Sequence, residues 1–146
     1  MSQVTRLDAS ATIAFLQHET GDDVVKQALQ TDHCAVRAAN QSEVIAKSLD
    51  RGIDPQAVKT ILAELTYTVI DNTAEDGIQA GWMRSQTRTI GLTLRGRLCM
   101  ATAQRRKVKI LTADRPWLTV AQQMGLTIEC IRPDAYRTPV LECVNP

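Results

Sequence analysis

The chain has 146 residues, the length of one domain with a sizeable core, and its 44% hydrophobic and 23% charged residues exclude a disordered, fibrous or disulfide-stapled protein. Seventeen basic and sixteen acidic residues leave a net charge of +1, so the overall balance selects no partner. No apolar run approaches the roughly 20 residues that span a bilayer, and Arg6, Asp8 and Glu19 interrupt the N-terminus where a secretion signal is apolar, which predicts a cytoplasmic protein with no membrane partner.

In chain order, Val4 to Leu7 predicts a short strand ending at Asp8, and Ser10 is the expected N-cap of a helix running through Ala14 to Gln17. A second helix is expected from Asp22 to Gln30, followed by a buried strand from Cys34 to Val36. The next helix begins near Asn40, with Glu43 in its first turn, Ile45 and Leu49 on one face and Gly52 as its stop. Asp54 and Pro55 read as N-cap and first helical residue, after which Val58, Ile61, Leu62 and Leu65 fall on one helical stripe. Tyr67 to Ile70 is a β-branched and aromatic strand. Thr73 and Asp76 then form a capping-box start for a helix whose Ile78 and Trp82 are expected to pack inward. Leu94, Leu98 and Ala101 mark one more helix, Val108 to Thr112 an apolar strand delivering Asp114, and Thr127 to Ile131 a last strand. Strands separated by helices predict a three-layer α/β/α domain over residues 1–146, with a parallel sheet and right-handed crossovers.

Cys34, Cys99, Cys130 and Cys143 show no CxxC pair and lie among apolar neighbours, so they are expected to be reduced and mostly buried. His18 and His33 have no evident ligand partner. Aromatic content of 3% excludes a base-stacking platform, and Trp117 is expected at the rim of the crevice formed by the strand ends.

Charge is unevenly distributed. Residues 1–83 carry a net charge of −6, whereas residues 84–115 hold nine bases against Asp114 alone, for +8. Such a block provides a footprint for phosphates, with Arg95, Arg97 and Arg115 as candidate RNA contacts, although helix faces paired with the acidic half would give the same pattern.

In an open parallel sheet, sites form beyond the carboxyl ends of the strands. Asp8 follows one strand and Asp114 another, so neighbouring strands would bring them into one crevice, with Glu43 entering from the same edge. Converging carboxylates repel unless a cation resides among them, and oxygen donors favour magnesium or manganese, which activates water and neutralises phosphate charge. The alternative is capping: Asp8 and Asp114 would each start a helical turn, and Glu43 would complement a helix dipole.

The segments LDAS (7–10), NQSEV (40–44), LTLRGRLCMATA (92–103) and LTADRPW (111–117) together resemble the PIN domain, specifically the VapC-type toxin ribonucleases of toxin–antitoxin pairs. The resemblance implies a five-stranded parallel sheet between helices, a Mg2+- or Mn2+-dependent endoribonuclease acting on tRNA or rRNA, a homodimer, and inhibition by a cognate antitoxin. It further implies that Asp8 binds metal directly, that Asp114 binds metal or a metal-bound water, and that Glu43 orients or deprotonates the attacking water. Ser10 and Thr112 would hydrogen-bond the acids. One position departs from the family pattern, for Gly96 stands where a third metal-binding aspartate is expected and Arg95 adds a cation beside it. Three outcomes follow: a site working with three acids, another acid such as Asp76 moving in, or a module that binds RNA or a partner protein with impaired catalysis.

Overall fold

The fold is taken from a computed structural model, which describes residues 3–133. Five strands, β1 (Val4–Leu7), β2 (His33–Arg37), β3 (Thr68–Ile70), β4 (Lys109–Thr112) and β5 (Ile128–Cys130), form one sheet in the order β3-β2-β1-β4-β5. Every pairing is parallel. The strand order reverses on either side of β1, and β1 pairs directly with β4, with Leu7 opposite Leu111. The residues following those strands therefore emerge side by side, as the carboxylate reading requires.

Helices cover both faces. On one, α1 (Ala9–Leu16) and α2 (Asp22–Thr31) pack Ala11, Ala14, Val25 and Ala28 against Leu7, Val36 and Leu111. On the other, α5 (Ala74–Trp82), α7 (Leu94–Arg106) and α8 (Leu118–Ala121) bury Ala80, Cys99, Met100, Ala103 and Val120 around Ile110. α3 (Ala38–Asp50) and α4 (Pro55–Glu64) close one edge, where Val44 meets Ala9 and Ile13, and α6 (Arg84–Thr87) is a single short turn. This is the three-layer arrangement expected from the sequence. Among the described residues no helix is long and apolar enough to cross a membrane.

Several local expectations are corrected. Asp8, not Ser10, is the N-cap of α1, its carboxylate accepting the Ala11 N–H at 2.8 Å. α3 starts earlier, at Ala38, which moves Glu43 out of the first turn. The capping box of Thr73 and Asp76 forms, but α5 turns its other face inward, leaving Ile78 66% and Trp82 76% exposed. The reason is electrostatic: Asp76 is fully buried between Arg37, at 3.8 Å, and Arg105, at 2.6 Å, and Ala80 and Met83 follow it into the core. An uncompensated guanidinium in the core costs more than an exposed indole, so the ion pairs choose the buried stripe. The same pairing removes Asp76 as a substitute metal ligand. On α7, Leu94 is exposed, and the helix buries the small residues Gly96, Cys99 and Ala103 instead.

Cys34 and Cys99 are buried free thiols, pushed up to about 11 and about 12 by desolvation, and Cys130 is half-buried. Cys143 lies outside the described residues.

Candidate active site

The carboxyl ends of β1 and β4 are tied together by two hydroxyls. Ser10 Oγ donates to the Asp8 carboxylate, with 2.8 and 2.9 Å to its two oxygens, and accepts the Ala113 N–H at 2.8 Å. Thr112 Oγ1 donates to Asp8 Oδ2 at 2.6 Å and accepts the Asp114 N–H at 3.0 Å. Each hydroxyl thus relays a backbone N–H from the turn after β4 onto the carboxylate after β1, fixing Asp8 and the Asp114 backbone relative to each other. Ser10 and Thr112 thus both hydrogen-bond the Asp8 carboxylate.

Asp8 is 3% exposed, and its pKa is pushed up to about 6. Burial is the main cause; the Asp114 charge adds to it, while the Thr112, Ala11 and Ser10 hydrogen bonds oppose it. Asp114 is exposed at the mouth of the crevice, yet desolvation there still raises its carboxyl above the usual range. Its side chain makes no cap bond to the following turn, Arg115–Trp117, so capping does not account for it.

Asp8, Glu43 and Asp114 line one cavity of about 170 Å³. Its walls also include Asn40, Lys47, Thr93, Gly96 and Trp117. Glu43 reaches it from α3, already engaged by Lys47 Nζ at 3.0 Å and Arg95 Nε at 3.2 Å. Glu43, Lys47 and Arg51 recur every fourth residue, so α3 presents an acid followed by two bases along one face. That spacing was readable in the sequence, whereas the placement of Lys47 between two of the acids was not.

Gly96 has no free space above it. A Cβ there would lie 2.6 Å from Leu92 Cδ1 and 3.2 Å from Trp117 Cζ2, so the Leu92 side chain must shift, and the indole give slightly, before any side chain fits at this position. Trp117 is accordingly 4% exposed and belongs to the core as well as the cavity wall. Asn40, 1% exposed, donates its amide to the Arg95 carbonyl at 3.2 Å, and its Oδ1 has no hydrogen-bond partner. An unpartnered buried acceptor at a cavity wall fits a polar or cationic occupant.

Among the described residues, no three His, Cys, Asp or Glu side chains gather closely enough to cage a metal. The carboxylates of Asp8 and Asp114 and the amide of Asn40, whose residues line this cavity, offer hard oxygens. They fit magnesium or manganese, which bind through one or two carboxylates and otherwise keep their waters.

The bases expected to bind RNA divide. Arg95 is paired with Glu43, whose own residue lines the cavity. Arg97 donates to the Ala80 and Leu92 carbonyls at 2.9 and 2.8 Å, locking α7 to the end of α5. Arg115 is half-buried and donates to the Arg132 carbonyl at 3.1 Å.

A family model described as the PIN domain matches residues 6–122. No curated protein matches the chain. Among solved structures, a toxin-antitoxin complex from Klebsiella pneumoniae is 19% identical, with a TM-score of 0.57, covering 74% of this chain and 84% of that one. DNA-bound VapBC from Salmonella typhimurium is 14% identical at a TM-score of 0.65, over 90% and 99% of the two chains. The sarcin-ricin loop cleaving toxin VapC20 of Mycobacterium tuberculosis is 12% identical at a TM-score of 0.60, over 73% and 86%. At such identities these structures share the fold with this chain.

Proposed function

The chain belongs to the PIN domain family, and from the crevice between β1 and β4 we propose that it is a Mg2+- or Mn2+-dependent endoribonuclease, the toxin of a toxin–antitoxin pair. The observation carrying this reading is the convergence of Asp8, Glu43 and Asp114 on one cavity at the carboxyl edge of the sheet. Asp8 and Asp114 would hold the ion, which when bound supplies charge neutralisation at the phosphate and an acidified water. Ser10 and Thr112 keep Asp8 in a fixed orientation, so it does not reorganise as charge develops. Glu43 orients the attacking water and accepts its proton. Arg95 and Lys47 stand beside it, where their charges favour approach of an RNA phosphate. Two of these solved structures of the same fold are toxin–antitoxin complexes, which supports a protein antitoxin as partner; a cytoplasmic, dimeric toxin acting on tRNA or rRNA is part of the proposal.

A second reading is a PIN module that binds RNA or a partner protein with impaired catalysis. It is favoured by Gly96, which supplies no acid and whose Cβ position is crowded by Leu92 and Trp117, and by the two bases already engaging Glu43. The test is incubation of the protein with structured RNA and manganese. Cleavage that Asp8→Asn abolishes supports the nuclease; retention of RNA without cleavage, by protein in which manganese binding is detected calorimetrically, supports the second reading.

A further inference from the structure

A second cleft, of about 250 Å³, continues from the acidic cavity and shares Ser10, Lys47 and Asp114 with it. Its far wall contains a bridged carboxylate. Glu19, in the loop between α1 and α2, receives Arg51 at 2.8 Å on one oxygen and Arg132 at 2.9 Å on the other. Arg51 comes from the end of α3, where it also donates to Gln17 Oε1, and Arg132 follows β5. Guanidiniums from two separate elements therefore close on a single planar anion beside the candidate catalytic acids.

That geometry is what guanidiniums offer a phosphodiester, whose unbridged oxygens present the same anionic fork. Glu19 and Arg51 are both partly exposed, and their pair contributes little net stability, while the less exposed Arg132 also donates to the Thr20 carbonyl at 3.4 Å, which holds its guanidinium in place for either anion. Counterions released from RNA tip the exchange toward the phosphate. Lys47 lies between this cleft and Glu43, which makes a continuous cationic path from the acids to the two arginines.

We propose that the second cleft is the track for the RNA strand, and that Glu19 occupies, in the free protein, the seat that a flanking RNA phosphate takes between Arg51 and Arg132. The proposal rests on the RNA-directed reading above and names the residues that hold the strand outside the reacting centre. It makes Glu19 an internal competitor whose removal tightens binding.

The experiment measures fluorescence anisotropy of fluorescein-labelled single-stranded RNA of random sequence, in chelator so that no cleavage occurs, across a salt series. Arg51→Ala is expected to weaken binding about fivefold and to reduce the slope of log affinity against log salt by about 1. Glu19→Gln is expected to tighten binding about threefold. Lys59→Ala and Glu64→Gln, both exposed on α4, make the same charge changes away from the cleft and set the effect of net charge alone. Thermal melting accompanies each variant; if Glu19→Gln does not fold, Arg51→Ala at the exposed helix end decides the matter. Wild type that binds RNA while Arg51→Ala and Glu19→Gln track their controls overturns the phosphate seat and leaves the RNA-directed reading standing. Wild type that does not bind even at low salt overturns that reading and the seat with it.

Discussion

Asp8→Asn should make the protein more stable at neutral pH while removing its activity. In the folded chain, the buried Asp8 carboxyl is pushed from an ordinary value of 3.8 up to about 6. That difference corresponds to about 3 kcal/mol of folding free energy lost when the group is ionised. Above about pH 6 the carboxylate is charged in both states, and the folded state bears the whole desolvation cost. Between about 6 and 3.8 the folded carboxyl is protonated while the unfolded one is not, so stability recovers as pH falls through this window. Below it, both are protonated and the cost is absent. Asparagine carries no charge, but an NH2 in place of Asp8 Oδ2 cannot accept the Thr112 hydroxyl that this oxygen now accepts at 2.6 Å, which offsets about 1 kcal/mol of the gain. The expected net gain near pH 7.5 is about 1–2 kcal/mol, or a rise of about 4–6 °C in Tm, vanishing by about pH 4. Urea denaturation of both proteins across this range, followed by circular dichroism, measures it. Manganese should raise the Tm of wild type and leave Asp8→Asn unmoved, because only the carboxylate exchanges its desolvation cost for an ion. A variant less stable than wild type near neutral pH, or an advantage that does not shrink on acidification, would refute the claim that burial strains this carboxylate.

Gly96→Asp should not restore a fourth acid: with Leu92 and Trp117 against the new Cβ, it should cost about 1–3 kcal/mol and leave manganese affinity unchanged by calorimetry. A tighter manganese site in this variant would show that the cavity wall yields. Asp76→Asn should be the more damaging change, because it leaves the buried Arg37 and Arg6 without their common counter-charge; a loss of about 3–5 kcal/mol is expected in the urea midpoint, with manganese affinity preserved in whatever folds.

The main elements were legible because their signals are local. Asp54 with Pro55, the Thr73 to Asp76 box, the short strand β1 and the apolar strand β4 depend on neighbours within a turn or a strand, and each forms within a residue of its expected place. Asp8 and Asp114 could be chosen from position alone, since each directly follows a strand or lies two residues past one. Trp82 could not be placed, because α5 carries two candidate stripes and periodicity does not choose between them. Contacts with Arg37 and Arg105, distant in the chain on either side, made the choice. The basic block divides for a similar reason: Arg97 and Arg105 bond carbonyls and Asp76 and Arg95 meets Glu43, while Lys47 and Arg51, from the acidic half, line the cleft with Arg132.

The amino-acid order by itself determined which segments become strand or helix and which acids lie at strand ends, because these follow from caps, turns and periodicity over a few residues. Only the tertiary structure decided that β1 and β4 are neighbours, that Leu92 and Trp117 close the space over Gly96, and that Glu43 meets Lys47 and Arg95. Those outcomes depend on which surfaces pack together, and a desolvated charge or a filled volume exists only once distant parts of the chain have excluded water between them.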